Sequence, residues 1–422
     1  MENEMEKIPF ARPFIGTEEE AAVIEVLRSG WLTTGKVTLE FEKDFEKFLN
    51  TGGELGGQLH CMAVNSATSG LHLALEALDI GQGDLVLLPS MTFTASAEVV
   101  RYLGAEVVFV DVTRGGCHVD PAALEDTLDR LNKGSPAYPP RKAGSEGFGP
   151  RGKAKAVMPV HFAGLPCNMD AIIPIAKKYG LKIVEDAAHS FPSFITDGGQ
   201  AGRWAGLMGD VGVFSFYATK TITTGEGGMV VTYDDAVAER IKIMRSHGID
   251  RSIWSRYTDT QASWFYQVVE PGFKYNIPDI LSALGRVQLG RAMDLLAMRK
   301  ELTRRYDQAF SSDEHFSIPQ TGSDDAHHLY TLKLNLERLS ISRNEFAAKM
   351  QEQGIGISVH FIPLHTMPYY KKRYSLEDED FPETMKSYNR IISLPLWPGM
   401  TDAQIDRVIT VVKTLGFDYD KS

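Results

Sequence analysis

The chain alternates short apolar runs with stretches whose apolar residues recur at helical spacing. In "SATSGLHLALEALDIG", Leu71, Leu75 and Leu78 share one helix face, and Gly81 follows as a stop. "DLVLLPS" reads as a short buried strand, "TASAEVVRYLGA" as a helix and "EVVFVDV" as the next strand. "DPAALEDTLDRLNKG" opens a helix with Asp120 as the cap and Pro121 at the first helical position. "KAVMPVHFAG" and "LKIVEDAAHS" are two further strands, and the helix "DAIIPIAKKYG" lies between them. Short apolar strands alternating with helices imply a parallel sheet covered on both faces.

Two segments break this rhythm. Gly134 to Lys155 is rich in Gly and Pro and locally basic, and it reads as an exposed, mobile inserted loop. Asn276 to Phe310 reads as one long helical stretch. After it come strand-like "HHLYTLKLNL", helix "SRNEFAAKMQEQG", strand "IGISVHFI" and a final helix, "TDAQIDRVITVVKTLG". With 422 residues, two domains are expected. The expected division is an N-terminal arm with a large α/β domain over 1–290 and a smaller α+β domain over 291–422. No internal repeat is visible.

Composition narrows the function classes. Hydrophobic residues make up 43% and charged residues 23%, as in ordinary soluble proteins. The formal charge of -11 argues against nucleic acid or an acidic membrane as the main partner. Cys61, Cys117 and Cys167 are too few and too scattered for a disulfide framework or a zinc site. The start, "MENEMEKIPFARPF", shows no apolar signal segment, and no apolar run is long enough to span a bilayer. A cytoplasmic protein without membrane contact is expected.

The candidate chemistry sits where strands end. In open α/β sheets, ligands bind at the carboxyl ends of the strands. Asp186 ends "LKIVEDAAHS", and Ser215 and Lys220 lie in "VGVFSFYATK". A carboxylate after a buried strand is costly without a cationic partner, although capping the next turn is the plainer use. A lysine at the edge of a buried strand can be a desolvated, reactive amine, although most lysines are solvated. The loop "TITTGEGG" beside it supplies permissive backbone. Ser66, Thr68, Ser69 and Gly70 stand where a helix begins, and free N–H groups there either dock a phosphate or are simply capped. Phe93, in "PSMTFTAS", follows another strand and can either stack on a ring or join the core.

Taken together, "SATSGLHLAL", "PSMTFTAS", "PVHFAGLPCNMD", "VEDAAHS", "GDVGVFSFYATKTITTGEGGMV", "GFKYNIPDILSALGRVQL" and "SLPLWPGM" run in family order over nearly the whole chain. They resemble the DegT/StrS-type sugar aminotransferases. That resemblance implies the aspartate-aminotransferase-like fold (type I of the pyridoxal-phosphate-dependent transferases) and pyridoxal 5'-phosphate as cofactor, with pyridoxamine phosphate formed in the cycle. By the same resemblance Lys220 is the Schiff-base lysine and Asp186 the partner of the pyridinium nitrogen. Ser215, Thr68 and Ser69 are implied phosphate ligands, Phe93 the stacking aromatic, and His189 a neighbour of the cofactor where many members have Gln. "GFKYN" matches a stretch that reaches the neighbouring subunit's site. Lys274 stands where many members have Asn, and Asn276 where they have Arg; Asn276 is the favoured contact. A homodimer with shared active sites is implied.

"EDAAHS", "GFKYN" and "SVHFIPLHTMPYY" look most like members acting on UDP-linked 4-keto sugars, as does the region around "RSIWSRYTDTQASWFYQVVEPG". Trp31, Thr33, His328, His360 and His365 are the implied contacts to a nucleotide-linked keto sugar. L-Glutamate is the implied amino donor, leaving as 2-oxoglutarate, and the product is an amino sugar for a glycan, lipid or metabolite. Two rivals share the fold. Sugar dehydratases of the family use pyridoxamine phosphate and carry His where this chain has Lys220. A non-catalytic regulator would have little need of the whole set Lys220, Asp186, Ser215 and Thr68. Zinc chemistry is not expected, because the eleven histidines show no zinc-type spacing.

Overall fold

The computed structural model describes residues 6–50, 57–250, 265–320, 322 and 325–421. Residues 251–264, which carry much of the "RSIW" resemblance, lie outside the described residues. Seven strands form the main sheet: β1 His60–Val64, β2 Asp84–Pro89, β3 Glu106–Val110, β4 Lys153–Val157, β5 Lys182–Asp186, β6 Val211–Ser215 and β7 Gly228–Thr232. Their order is β1-β7-β6-β5-β4-β2-β3. The pairs from β3 to β6 are parallel, and β7 alone is antiparallel to both its neighbours. The sheet is therefore mostly parallel, as the alternation predicts. β7 reverses because the segment Phe216–Gly227 turns back without a crossover helix, and that turn carries Lys220.

The strands are apolar throughout because helices cover both faces. Helix Ala67–Ala77 lies so close that a Cβ on Gly70 would sit 2.7 Å from Val213 Cγ1. Only glycine permits that approach, which sets the helix head against the carboxyl ends of β1 and β6. Each fully buried Val, Leu or Ile of this core contributes about 1.5–3 kcal/mol. A second sheet, ordered β10-β9-β8, joins β8 Phe316–Ser317, β9 Tyr330–Leu334 and β10 Ile391–Leu394. Tyr306, Phe310, Tyr330, Phe346 and Val412 pack around it, together with Ile8 from the start of the chain. Leu364, Tyr370, Tyr374 and Phe381 instead join the core of the main sheet.

Four local expectations are corrected. The residue that ends the helix at Ala77 is Asp79, with φ 57, not Gly81; a short polar side chain tolerates that conformation. The long stretch after Asn276 is two helices, Asp279–Gly290 and Ala292–Phe310, interrupted at Arg291. Glu19 fixes the break by accepting from Gln288 Nε2 at 2.7 Å and Arg291 Nη1 at 2.8 Å. "IGISVHFI" forms no strand; Gly356 bonds Ile8 and Ser358 bonds Ser393 at single points. Finally, the segment read as an exposed loop is anchored. Tyr138 is buried and donates to Phe109 N no bond but accepts one, its hydroxyl oxygen receiving that N–H at 2.8 Å. Arg141 lies 3.9 Å from the Phe148 ring centroid and pairs with Asp380. Among the described residues no helix is long and apolar enough to cross a membrane.

Candidate active site

The carboxyl ends of β1, β2, β5 and β6 open onto a cavity of about 500 Å³. Thr68 reaches it from the head of helix Ala67–Ala77, and Phe93 from the turn after β2. Asp186 and His189 reach it from the end of β5, and Ser215, Tyr217 and Lys220 from β6 and the turn beyond. His328, His360 and Phe361 close the opposite wall.

The helix head is prepared for an anion. Ser66 Oγ accepts the Ser69 N–H at 3.1 Å, while the earlier N–H groups of Ala67 and Thr68 have no partner within the helix. Gly228 of β7 passes so near that a Cβ there would lie 2.9 Å from Ala67 N. The turn that carries Lys220 is fixed by Thr224 N and Thr223 Oγ1, each donating to Phe216 O at 2.9 Å. Gly225, with φ 82, allows the chain to reverse.

Burial pushes the Lys220 amine down to about 7; Asp186 opposes that shift and Arg299 adds to it. Lys220 Nζ lies 3.4 Å from His328 Nε2. Asp186 is buried, which raises its pKa, and the Ser96 hydroxyl at 2.7 Å and the Ala188 N–H at 3.2 Å pull the other way. His189 Nδ1 accepts the Ala163 N–H at 3.2 Å, so its proton sits on Nε2. Burial holds His189 and His328 well below the ordinary histidine range and His360 at about 4. All three imidazoles are therefore neutral at pH 7, and the His189 and His328 rings lie 4.5 Å apart.

Of the residues singled out in the sequence, Thr68, Phe93, Asp186, His189, Ser215, Lys220, His328 and His360 meet in this cavity. Phe93 is 57% exposed there, free to cover the face of a ring. Five others do not line it. The Ser69 hydroxyl, read as part of the phosphate site, turns away from the cavity and donates to Asn65 Oδ1 at 2.7 Å. His365 is buried in the core, 2.6 Å from Ser90 Oγ and stacked on Phe381, which corrects its reading as a sugar contact. Asn276 Nδ2 donates to Thr34 Oγ1 at 2.6 Å, and Asn276 Oδ1 accepts from Lys274 at 2.6 Å. Trp31 Nε1 donates to Thr34 O at 3.4 Å, and Thr33 O accepts from Asp279 N at 3.3 Å.

Phe10, Tyr217, Glu226 and Phe361 also line the cavity and carried no signal of their own. Phe361 is adjacent to His360, so it was reachable by association. Phe10 was not: its ring meets His360 at 5.5 Å from the far end of the chain.

The donor set suits one kind of ligand. A neutral amine seeks a carbonyl, a buried carboxylate seeks a cation, and a helix head seeks an anion. A phosphorylated aromatic aldehyde with a basic ring nitrogen satisfies all three, and pyridoxal phosphate is such a molecule.

Comparison with known proteins agrees. Residues 13–413 match the DegT/DnrJ/EryC1/StrS aminotransferase family. The chain is 39% identical over 411 residues to the spore coat polysaccharide biosynthesis protein SpsC of Bacillus subtilis (strain 168), covering 97% of each. The putative sugar aminotransferase Spr1654 from Streptococcus pneumoniae, in its PMP-form, matches with TM-score 0.82 and 29% identity, over 97% of this chain and 99% of that one. Helicobacter pylori PseC, an aminotransferase involved in the biosynthesis of pseudoaminic acid, matches with TM-score 0.82 and 25% identity over 98% and 100%. The chain belongs to the DegT/DnrJ/EryC1/StrS aminotransferase family and is a pyridoxal-phosphate-dependent sugar aminotransferase.

Proposed function

We propose that the enzyme moves an amino group from L-glutamate to a nucleotide-linked keto sugar, specifically a UDP-linked 4-keto sugar, and releases 2-oxoglutarate. The carrying observation is one cavity that unites an amine held at about 7, Lys220, with the buried carboxylate of Asp186. Pyridoxal phosphate, when bound, supplies an electron sink that lets an amino group pass between two carbon skeletons.

The chain's own groups do the rest. Lys220 is the residue that would hold the cofactor covalently. Its pKa near 7 lets it both take and give a proton at neutral pH. Asp186, oriented by Ser96 and Ala188, would keep the cofactor's ring nitrogen protonated. Thr68, Ser215 and the helix-head N–H groups, which border the cavity, would hold the phosphate, and Phe93 would cover the ring. The neutral rings of His189, His328 and His360, with Phe361, exclude water and leave N–H donors for sugar hydroxyls. In this reading 1–290 forms the cofactor domain and 291–422 the domain that closes over the sugar. A homodimer completes each site, with Asn276, Trp31 and Thr33 serving the neighbouring copy.

The test is an absorbance spectrum of the purified protein before and after L-glutamate. A yellow protein bleached by L-glutamate, and restored by UDP-4-keto sugar or by 2-oxoglutarate, is the expected result. A yellow protein unchanged by L-glutamate rejects this donor. Bleached protein that only 2-oxoglutarate restores rejects this acceptor.

A further inference from the structure

Arg299 lies in the middle of helix Ala292–Phe310 and is 2% exposed. A buried guanidinium ordinarily has a carboxylate beside it. Here, among the described residues, it has none: Nη1 donates to the carbonyls of His327 at 3.5 Å, His328 at 3.2 Å and Leu396 at 2.9 Å. Its Nε is buried and has no hydrogen-bond partner among the described residues. Burying such a charge is expensive. The carbonyl of His328 belongs to the residue whose ring nitrogen lies 3.4 Å from Lys220 Nζ. The unbalanced charge is thus stationed one residue behind the amine.

We propose that Arg299 is a positioning residue of the site: it pins the His327–His328 peptides against the cavity, and its unbalanced positive charge disfavours a proton on Lys220. This rests on the reading of Lys220 as the reactive amine. The groups facing that amine fit the assignment. Asp186, at the end of β5, is the charge that favours the proton. His189, His328 and His360 are neutral, so they cannot oppose it. Glu226 lines the same cavity as a second carboxylate. Burial is the largest influence keeping the amine neutral and outweighs the pull of Asp186, and Arg299 adds a smaller push in the same direction. Burial also lowers Arg299 itself to about 10, so it stays charged at neutral pH.

The test uses the cofactor-free protein and a neutral amine-reactive reagent, with the Lys220 adduct read by mass spectrometry as pH is raised. The wild-type rate should titrate near 7. Arg299→Gln, which keeps donors for the carbonyls, and Arg299→Met should titrate about one pH unit higher, cutting the rate at pH 7 about fivefold. Arg299→Lys should stay within a few tenths of wild type. Neutral variants that fold by circular dichroism yet titrate as wild type overturn the proposal. Failure of both neutral variants to fold also overturns it, because Arg299 is then a framework residue. If the wild-type protein shows no Lys220 titration near 7, the reading of Lys220 itself fails, and this is seen before any Arg299 variant is made.

Discussion

Replacing Lys220 by Met should stabilise the cofactor-free protein at neutral pH. The lysine ordinarily ionises at 10.5 and here at about 7. The unfolded chain therefore holds a proton that the folded chain resists. The penalty is absent above 10.5, grows as pH falls, and is complete below 7. Its ceiling is about 5 kcal/mol, and at pH 7 about 4 kcal/mol. Lys220 also borders the open cavity, so water screens part of this. About 2 kcal/mol is the expected gain for Lys220→Met at pH 7, falling to nearly zero by pH 10.5. Urea denaturation of the cofactor-free proteins at pH 7 and again near pH 10 measures it. A variant no more stable than wild type at pH 7 would refute the reasoning, as would an equal gain at both pH values. The expected result is a stability–activity conflict: the amine proposed to do the chemistry strains the empty fold.

Two further effects should appear. Glu185→Gln should cost about 3 kcal/mol or more, because the buried carboxylate accepts from Gly206 N at 2.9 Å and from Met208 N and Gly209 N at 2.6 Å, and lies 2.8 Å from His161 Nε2. Glutamine would turn an NH2 toward some of those donors; an unchanged denaturation midpoint would contradict this account. His365→Ala should lower stability by about 2–3 kcal/mol while leaving KM for the sugar unchanged, because its ring is bonded to Ser90 and stacked on Phe381. A shifted KM with unchanged stability would return His365 to the site.

How much was legible follows from the range of each interaction. Caps and periodicities are local, so Asp120 at its helix start and the strands "EVVFVDV" and "LKIVEDAAHS" could be read directly. The lysine and carboxylate of the proposed chemistry could be singled out because they sit at strand ends inside long family-like runs, Lys220 after β6 and Asp186 at the end of β5. Where periodicity misled, a distant side chain decided. Glu19 broke the helix at Arg291, and Tyr138 drew a Gly- and Pro-rich segment into the core. His328, His360 and His365, from "HHLY" and "SVHFIPLHTMPYY", looked alike in the sequence, yet His328 and His360 face the cavity and His365 faces Ser90.

The sequence by itself determined the alternation of strands and helices, the two groups of the proposed chemistry and the family. Those depend on residue type and on spacing along one stretch of chain. Only the tertiary structure decided that Phe10 borders the site, that Ser69 turns away from it, and that an arginine with no carboxylate partner among the described residues lies behind His328. Burial and unbalanced charge are properties of what surrounds a residue. The surroundings of Lys220 come from segments as far apart in the chain as Asp186 and Arg299, so no single stretch of the sequence contains them.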